Sequence, residues 1–234
     1  MASKSEISFG ARLLNAEKMV THLQSFAGYT PPAAAQSTAN LQTLITIIKE
    51  QNNAAARNLQ SYSVAVDNRQ KLFQKNSDSL IRIMSPIAAV VRSVFGKSSK
   101  EAAGIGAMVT KIRGASITRI RKDPDADFVS QSEKSYGSLT HNFADMIATL
   151  QNYGGAYKPA NDKISIASLS ALLAQLEQSN TAVTAAYGSL KETRDDRVTF
   201  YKDLAALAQR IKDAVKSQYG IASTEYVLVK GLKV

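Results

Sequence analysis

Residues 169–215 read LSALLAQLEQSNTAVTAAYGSLKETRDDRVTFYKDLAALAQRIKDAV, a run with a single glycine and no proline. An apolar side chain recurs in it every seven residues, with one interruption by arginine, and a companion series begins at Leu173. The main series is Leu169, Leu176, Val183, Leu190, Arg197, Leu204 and Ile211. Such spacing gives a helix an apolar seam for another helix. The run therefore predicts one helix of about 50 residues, roughly 75 Å long; a hairpin turning near residues 191–196 is the alternative.

The same pattern occurs earlier in the chain, at a constant offset of 128 residues. Matched pairs at this offset include Leu41 and Leu169, Ile48 and Leu176, Asn52 and Asn180, Asp67 and Asp195, Arg69 and Arg197, and Phe73 and Tyr201. Farther along, Phe95-Gly96 matches Tyr219-Gly220 at an offset of 124. A fixed offset over many positions indicates a tandem duplication. We expect residues 1–122 to form a first helical repeat with a basic linker and residues 123–234 a second, packed together as one domain.

Each repeat is expected to contain a short helix, a proline-marked loop, a long helical stretch and a glycine stop. The short helices are predicted at about residues 8–26 and 130–153, and Gly96 and Gly220 are predicted to end helices. In the first repeat, residues 76–79 suggest a turn, and Pro86 should kink or restart the helix. The fold class is therefore all-α, an elongated helical bundle from a tandem duplication. The β-branched tail, residues 226–234, is expected to pair with residues 107–114 as two short strands.

The second repeat ends on the motif Tyr-Gly-x-x-Ser-x-Glu-Tyr-x-x-Val-Lys-Gly, from Tyr219 to Gly231. This motif resembles one in uncharacterised bacterial helical proteins of similar size. The resemblance covers thirteen residues, implies a bacterial origin and carries no known activity. The first repeat departs from the motif after Glu101, where Ala102 stands in place of the second tyrosine.

Charge is distributed unevenly along the sequence. The net charge is +10, but residues 1–122 contain 17 Lys+Arg against 6 Asp+Glu, whereas residues 123–234 contain 12 against 13. This polarity suggests an anionic partner for the first half, or head-to-tail contact between molecules; neutral drift between repeats explains it equally well. The sequence contains no cysteine and no segment apolar enough to enter a membrane, so we expect a cytoplasmic protein.

Residues suited to catalysis or metal binding are scarce. The two histidines, His22 and His141, do not occupy matching repeat positions, and neither is expected to have the partner carboxylate or second histidine at short spacing that a catalytic or metal histidine needs. No phosphate-binding loop or hydrolase motif is present. The sequence therefore predicts a protein that is not an enzyme, with no catalytic residue, no metal, no cofactor and no small-molecule substrate.

The matched polar residues are predicted to be structural. Arg69 and Arg197 occupy apolar heptad positions, where a buried arginine needs a charged partner. Pairing Arg197 with Asp67 and Arg69 with Asp195 is the symmetric solution; an anion-binding site is the alternative. The matched Asn52 and Asn180 are expected to fix helix register.

A basic segment lies at the junction of the repeats and is the candidate contact for an anion or a partner. It comprises Lys111, Arg113, Arg119, Arg121 and Lys122. With only Phe128 nearby and no tryptophan, base stacking on it is not expected. Contact with a phosphate backbone or an anionic surface is one interpretation of this segment, and a solvated linker is the other. The sequence thus favours a structural or interaction protein that assembles with itself or binds a macromolecule. Binding of nucleic acid or another polyanion through the basic N-terminal half is the alternative.

Overall fold

Seven α-helices and no strand make up the part of the chain that the computed structural model describes, residues 8–113 and 135–234. The helices are α1 Phe9–Ser25, α2 Thr38–Gln70, α3 Leu80–Phe95, α4 Lys100–Arg113, α5 Tyr136–Asn152, α6 Ile166–Tyr219 and α7 Thr224–Lys230. Short 3-10 turns occupy Ala34–Gln36, Gly154–Ala156 and Asp162–Ile164, and a π turn occupies Lys71–Lys75. The all-α fold class is confirmed.

The heptad run forms a single helix, so the long-helix prediction is confirmed and the hairpin alternative is wrong. Helix α6 continues for 54 residues, and Leu169, Leu176, Leu204 and Ile211 of the series are fully buried. Arg197 is the member of the series that remains partly exposed. The apolar seam is therefore buried near both ends of α6, by Leu169 at one end and Ile211 at the other.

The long helical stretch of the first half is interrupted, whereas the matching stretch of the second half is one continuous helix. Helix α2 ends at Gln70, the π turn Lys71–Lys75 follows, and α3 begins after the capping position Ser79. The predicted turn at residues 76–79 is confirmed. Pro86 lies inside α3 and does not restart it. The segment from Phe73 to Phe95 is four residues longer than the matching segment from Tyr201 to Tyr219. The interruption between α2 and α3 lies at this point, where the offset between the two halves changes from 128 to 124.

Glycine ends both long helical stretches, as predicted. Gly96 and Gly220 have φ of +88° and +94°, in the region that favours glycine. After each glycine, a serine hydroxyl accepts a backbone N–H of the next helix, at 3.0 Å for Ser99 and 3.1 Å for Ser223. These side chains act as N-caps and start α4 and α7.

The predicted pair of short strands is wrong, because both segments are helical. Residues 107–113 belong to α4, and the tail forms α7, Thr224–Lys230. The cap from Ser223 and the acidic Glu225 in the first turn favour a helix there, and Val229 is fully buried. Burial of Val229 in α7, and of Ile105 and Ile112 in α4, outweighs the β-propensity of these short segments.

The described helices divide into two compact units, each with its own core. The first unit contains residues 1–61 and 187–234, and the second contains residues 62–186. In the first unit, apolar side chains of α1, α2, α6 and α7 are buried together; in the second, those of α3, α4, α5 and α6 are. Neither unit coincides with a predicted repeat, because each takes residues from both halves of the chain.

This division removes the charge polarity seen along the sequence. The first unit contains 14 Lys+Arg and 9 Asp+Glu, and the second contains 15 and 10, so each has a net charge of +5. Each compact unit therefore contains residues of both the basic and the nearly neutral half of the sequence.

Candidate functional site

Arg197 belongs to an aromatic cluster in the first unit. Its guanidinium lies 4.6 Å from the centre of the Phe9 ring, and that ring packs on Tyr201 with 4.5 Å between centroids. The Tyr201 hydroxyl donates to the Phe9 carbonyl at 2.9 Å and accepts from Asn52 Nδ2 at 3.0 Å. Arg12 donates to the Tyr201 carbonyl at 2.6 Å. The matched residues Asn52, Arg197 and Tyr201 are thus joined in one cluster.

Arg69 has an equivalent environment in the second unit. Its guanidinium lies 4.0 Å from the centre of the Tyr136 ring, which packs edge-on against Phe73 at 4.8 Å. The partners of the two arginines, Phe9 and Tyr136, are 127 residues apart in sequence. A cation over an aromatic face contributes about 0.5–1 kcal/mol at sites like these. The arginines therefore occupy apolar seam positions with an aromatic ring as the partner.

The predicted aspartate–arginine pairs are wrong, because lysines of the same helical segments bind the carboxylates. Asp67 is 2.7 Å from Lys71 and 2.9 Å from Lys75, and Asp195 is 2.6 Å from Lys191. Hydrogen bonds from Lys71 and then Lys75 lower the pKa of Asp67 below its usual value. The carboxylates remain in contact with solvent, and Asp195 is exposed, so neither needs a partner on another helix.

Asn180 makes a different contact from its counterpart Asn52. Its Nδ2 donates to Thr140 Oγ1 at 3.2 Å, within the second unit. The residue that corresponds to Tyr201 in that unit is Phe73, which has no hydroxyl to offer. Both asparagines join two helices, as a role in register requires.

The histidine prediction needs a correction. His141 does have a carboxylate at short spacing, since its Nε2 lies 3.6 Å from Asp145 on the next turn of α5. Both side chains are mostly exposed, at 77% and 55%. Among the described residues, no group of three side chains is arranged to hold a metal ion. Within the same residues, no helix is both long and apolar enough to cross a bilayer.

The basic segment predicted at the repeat junction is only partly described. Lys111 and Arg113 are exposed at the end of α4, whereas Arg119, Arg121 and Lys122 lie outside the described residues. The structure adds cations that sequence analysis did not select. The α3–α4 hairpin, residues 80–113, exposes Arg82, Arg92, Lys97, Lys100, Lys111 and Arg113.

These six cations have little carboxylate near them. Glu101 is the one acidic residue between residues 80 and 113, and the described part of the chain shows no ion pair for any of the six. Arg113 donates to Ser85 Oγ at 2.5 Å, which links α4 to α3. A count of charge over each pair of successive helices, instead of over each half of the chain, is the sequence signal that identifies this surface.

Comparison with protein-family models, with curated proteins and with solved structures finds no match to this chain.

Two tyrosines secure the proline-marked loops in the same way. The Tyr29 hydroxyl donates to the Gln36 carbonyl at 3.1 Å, and the Tyr157 hydroxyl donates to the Ile164 carbonyl at 2.8 Å. Each bond closes the loop that leads into a long helix. Burial raises the pKa of Tyr157 to about 12, and the residue is only 5% exposed.

Alkaline solution is expected to destabilise the fold through Tyr157. The unfolded phenol loses its proton near pH 10 and the folded one near pH 12. This contribution is therefore complete below pH 10 and is lost as the pH rises to 12, by up to about 2 kcal/mol. Urea unfolding of Tyr157→Phe between pH 9 and 11.5 should show a smaller decrease than the unmutated protein. Tyr187→Phe, at a residue that is 52% exposed, is the control; equal pH dependence for all three proteins would contradict the assignment.

Proposed function

We propose that this chain is a non-enzymatic interaction protein that associates with a second copy of itself through its long helices. One observation carries the proposal: α2 and α6 each pass through a stretch that is largely exposed and yet almost without charge. These are residues 51–66 of α2, with Arg57 as the one charged side chain, and residues 178–190 of α6, with none. We call them the low-charge stretches.

The low-charge stretch of α2 presents a continuous outer stripe. Asn53, Arg57, Gln60 and Val64 are all exposed and recur at spacings of four, three and four residues. This spacing places them on one side of a helix, as in a coiled-coil seam. Val64 is 47% exposed, and nearby Leu59 is 46% exposed. An exposed helix ordinarily presents charged side chains to water, so the stripe is suited to cover by another helix.

The low-charge stretch of α6 has no charged residue, and several of its exposed residues are small. Thr181, Ala185 and Gly188 are exposed at spacings of four and three residues, and Tyr187 is 52% exposed. Small side chains allow another helix to approach closely. Asn58 of α2 donates to the Ser189 carbonyl at 3.2 Å, which joins the two stretches within the first unit.

Like-charge repulsion favours contact between two copies at the low-charge stretches. With a net charge of +10, two molecules repel each other over most of their surfaces. That repulsion is weakest where the surface carries no charge. In a symmetric contact the same patch of both copies meets, so a patch whose one charged residue is Arg57 brings little like-charge repulsion into the contact.

Tandem duplication of a helical unit is part of this proposal. Supporting it are paired contacts at matching offsets: Arg69 on Tyr136 with Arg197 on Phe9, and the loop bonds of Tyr29 and Tyr157. Each compact unit combines the first part of one predicted repeat with the last part of the other. A single repeat therefore lacks the segment that completes its core. Reciprocal exchange of this kind is consistent with an origin from a self-associating ancestor.

Light scattering tests self-association directly. We expect the mass in solution to rise with protein concentration, and to rise further between 20 and 500 mM salt because salt screens repulsion between like-charged copies. The double variant Gln60→Lys and Val64→Lys should weaken association at least tenfold by placing two charges in the stripe. A monomeric mass at millimolar concentration in both salts would contradict the proposal.

A matched control adds the same two charges elsewhere. Gln24→Lys and Ala206→Lys are exposed positions outside the low-charge stretches, and this variant should associate within twofold of the unmutated protein. Equal loss of association in both variants would mean that net charge, and not the stripe, controls the contact. Polyanion binding is the second candidate function, and the six cations of the α3–α4 hairpin favour it.

A further inference from the structure

We propose that the outer face of the α3–α4 hairpin binds the phosphate backbone of a duplex nucleic acid without reading its sequence. This inference deepens the polyanion-binding candidate and does not depend on self-association. The face is formed by exposed residues between Arg82 and Arg113, which carry six positive charges. It holds cations on two helices that pack against each other.

The spacing of the cations suits a long polyanion. Arg82 and Arg92 are ten residues apart on α3, about 15 Å along the helix, and Lys100 and Lys111 are eleven apart on α4, about 16 Å. A DNA duplex carries one negative charge per roughly 1.7 Å of its axis. Two rows of this length therefore lie beside about nine phosphates, whereas a small anion would occupy only one cation.

Small side chains separate the cations. Ser85, Ala89 and Ser93 are exposed on α3, and Gly104 and Ala107 are exposed on α4. An added Cβ at Gly104 would meet no atom within 4 Å, so the space above it is open. A sugar-phosphate backbone can approach both helices closely without displacing a bulky side chain. Phosphate contacts of this type position a protein on a duplex and carry no sequence information.

Arg113 is already held in place for such a contact. Its bond to Ser85 Oγ at 2.5 Å fixes the guanidinium beside α3, while the residue remains exposed. A side chain that is ordered before binding loses less conformational entropy when the ligand arrives. The planar guanidinium retains further N–H groups for a phosphate.

The face suits a duplex better than a single strand or a membrane. Phe95 is the one aromatic residue of the hairpin, and its ring packs on Tyr153 at 5.0 Å instead of offering a surface for bases. Single strands are bound mainly by stacking on such rings. Val94, at 48%, is the one large apolar residue of the hairpin with high exposure. An interfacial membrane contact needs a broader apolar surface.

The second half of the chain provides an internal comparison. At the offset of 124, Lys97, Ala103 and Gly104 correspond to Ile221, Val227 and Leu228, and all six residues are exposed. The fold thus accepts apolar as well as basic or small residues at these positions. Packing therefore does not require a cation at the position of Lys97, so this lysine is free to serve binding.

Fluorescence anisotropy with a labelled 20-base-pair DNA duplex of random sequence tests the proposal on the full chain. Between 50 and 200 mM salt, the logarithm of the binding constant should fall against the logarithm of salt concentration with a slope of about −4 to −5. The variant Arg82→Gln, Arg92→Gln, Lys100→Gln and Lys111→Gln should bind at least tenfold more weakly and flatten the slope by about three to four. Arg92→Gln with Lys111→Gln, a milder variant, should flatten it by about two.

A charge-matched control separates the face from net charge. Lys18→Gln, Lys202→Gln, Lys216→Gln and Lys230→Gln remove the same four charges at exposed positions of the first unit. This control should retain binding within threefold and keep the slope. Absence of duplex binding, an equal loss in the control, or tighter binding to a single strand or to anionic vesicles would overturn the proposal. Light scattering should show equal self-association for this four-charge control and for the four-charge variant of the face, since both lose the same charge, and this keeps the two functions distinguishable.

Discussion

Replacing Tyr201 with alanine is expected to lower the free energy of unfolding by about 4 kcal/mol. The side chain is fully buried, packs on Phe9, and forms hydrogen bonds through its hydroxyl with Phe9 and Asn52. Truncation leaves a cavity the size of the ring, which costs about 3–5 kcal/mol, and leaves the Asn52 amide without its partner. Urea unfolding followed by circular dichroism measures the loss.

Two further variants separate packing from hydrogen bonding. Tyr201→Phe keeps the ring and should cost about 1 kcal/mol. Phe73→Ala, at the matching buried position of the second unit, should cost about 3–4 kcal/mol, since Phe73 has no hydroxyl to lose. If Tyr201→Ala unfolded no more easily than Tyr201→Phe, the ring would not be a core residue and the cluster around Arg197 would be wrongly assigned.

The elements that the sequence predicted correctly are those with a strong local signal. The heptad series from Leu169 to Ile211 predicted a single long helix because seven successive members share one spacing. Gly96 and Gly220 marked helix ends, since no other residue accepts a positive φ easily. The strand prediction for the tail, residues 226–234, was wrong for the opposite reason. Seven residues of mixed propensity gave no decisive local pattern, and contact of Val229 with the core determined the outcome.

The partners of the polar residues could not be predicted, because sequence spacing does not specify which helix faces which. Arg197 was correctly placed in an apolar seam. Its neighbour, however, is the Phe9 ring, which lies 188 residues earlier in the chain. A carboxylate partner was assumed because burial of a charge demands compensation. Asp195 instead bonds to Lys191 one turn away, a local solution that the i, i+4 rule already allowed.

The distribution of charge illustrates the same limit. Counting along the chain divided it into a basic and a neutral half, whereas the fold mixes both halves in each unit. The charge of a single hairpin is the same in both descriptions, since the α3–α4 hairpin is basic in the sequence and on the surface. Charge within one hairpin can be assessed from sequence, since its two helices are neighbours. Charge across the molecule cannot, because it depends on long-range packing.

Gly96→Ala is expected to destabilise the protein by about 2–3 kcal/mol. Gly96 ends α3 with φ +88° and ψ 152°, a conformation that is almost exclusive to glycine. No atom lies within 4 Å of an added Cβ, so the cost arises from the backbone alone. Gly220→Ala, with φ +94° at the end of α6, should cost a similar amount. Urea unfolding at pH 7 measures both.

The control for backbone strain is a glycine inside a helix. Gly104 lies in α4, also with no atom within 4 Å of an added Cβ, and Gly104→Ala should stabilise the protein by about 0.5–1 kcal/mol, because alanine restricts the unfolded chain and favours the helix. The opposite signs at residues 96 and 104 are the informative result, since both changes add the same methyl group to an open surface. If Gly96→Ala were neutral, the chain would leave α3 by another route, and Ser99 would no longer be positioned to cap α4.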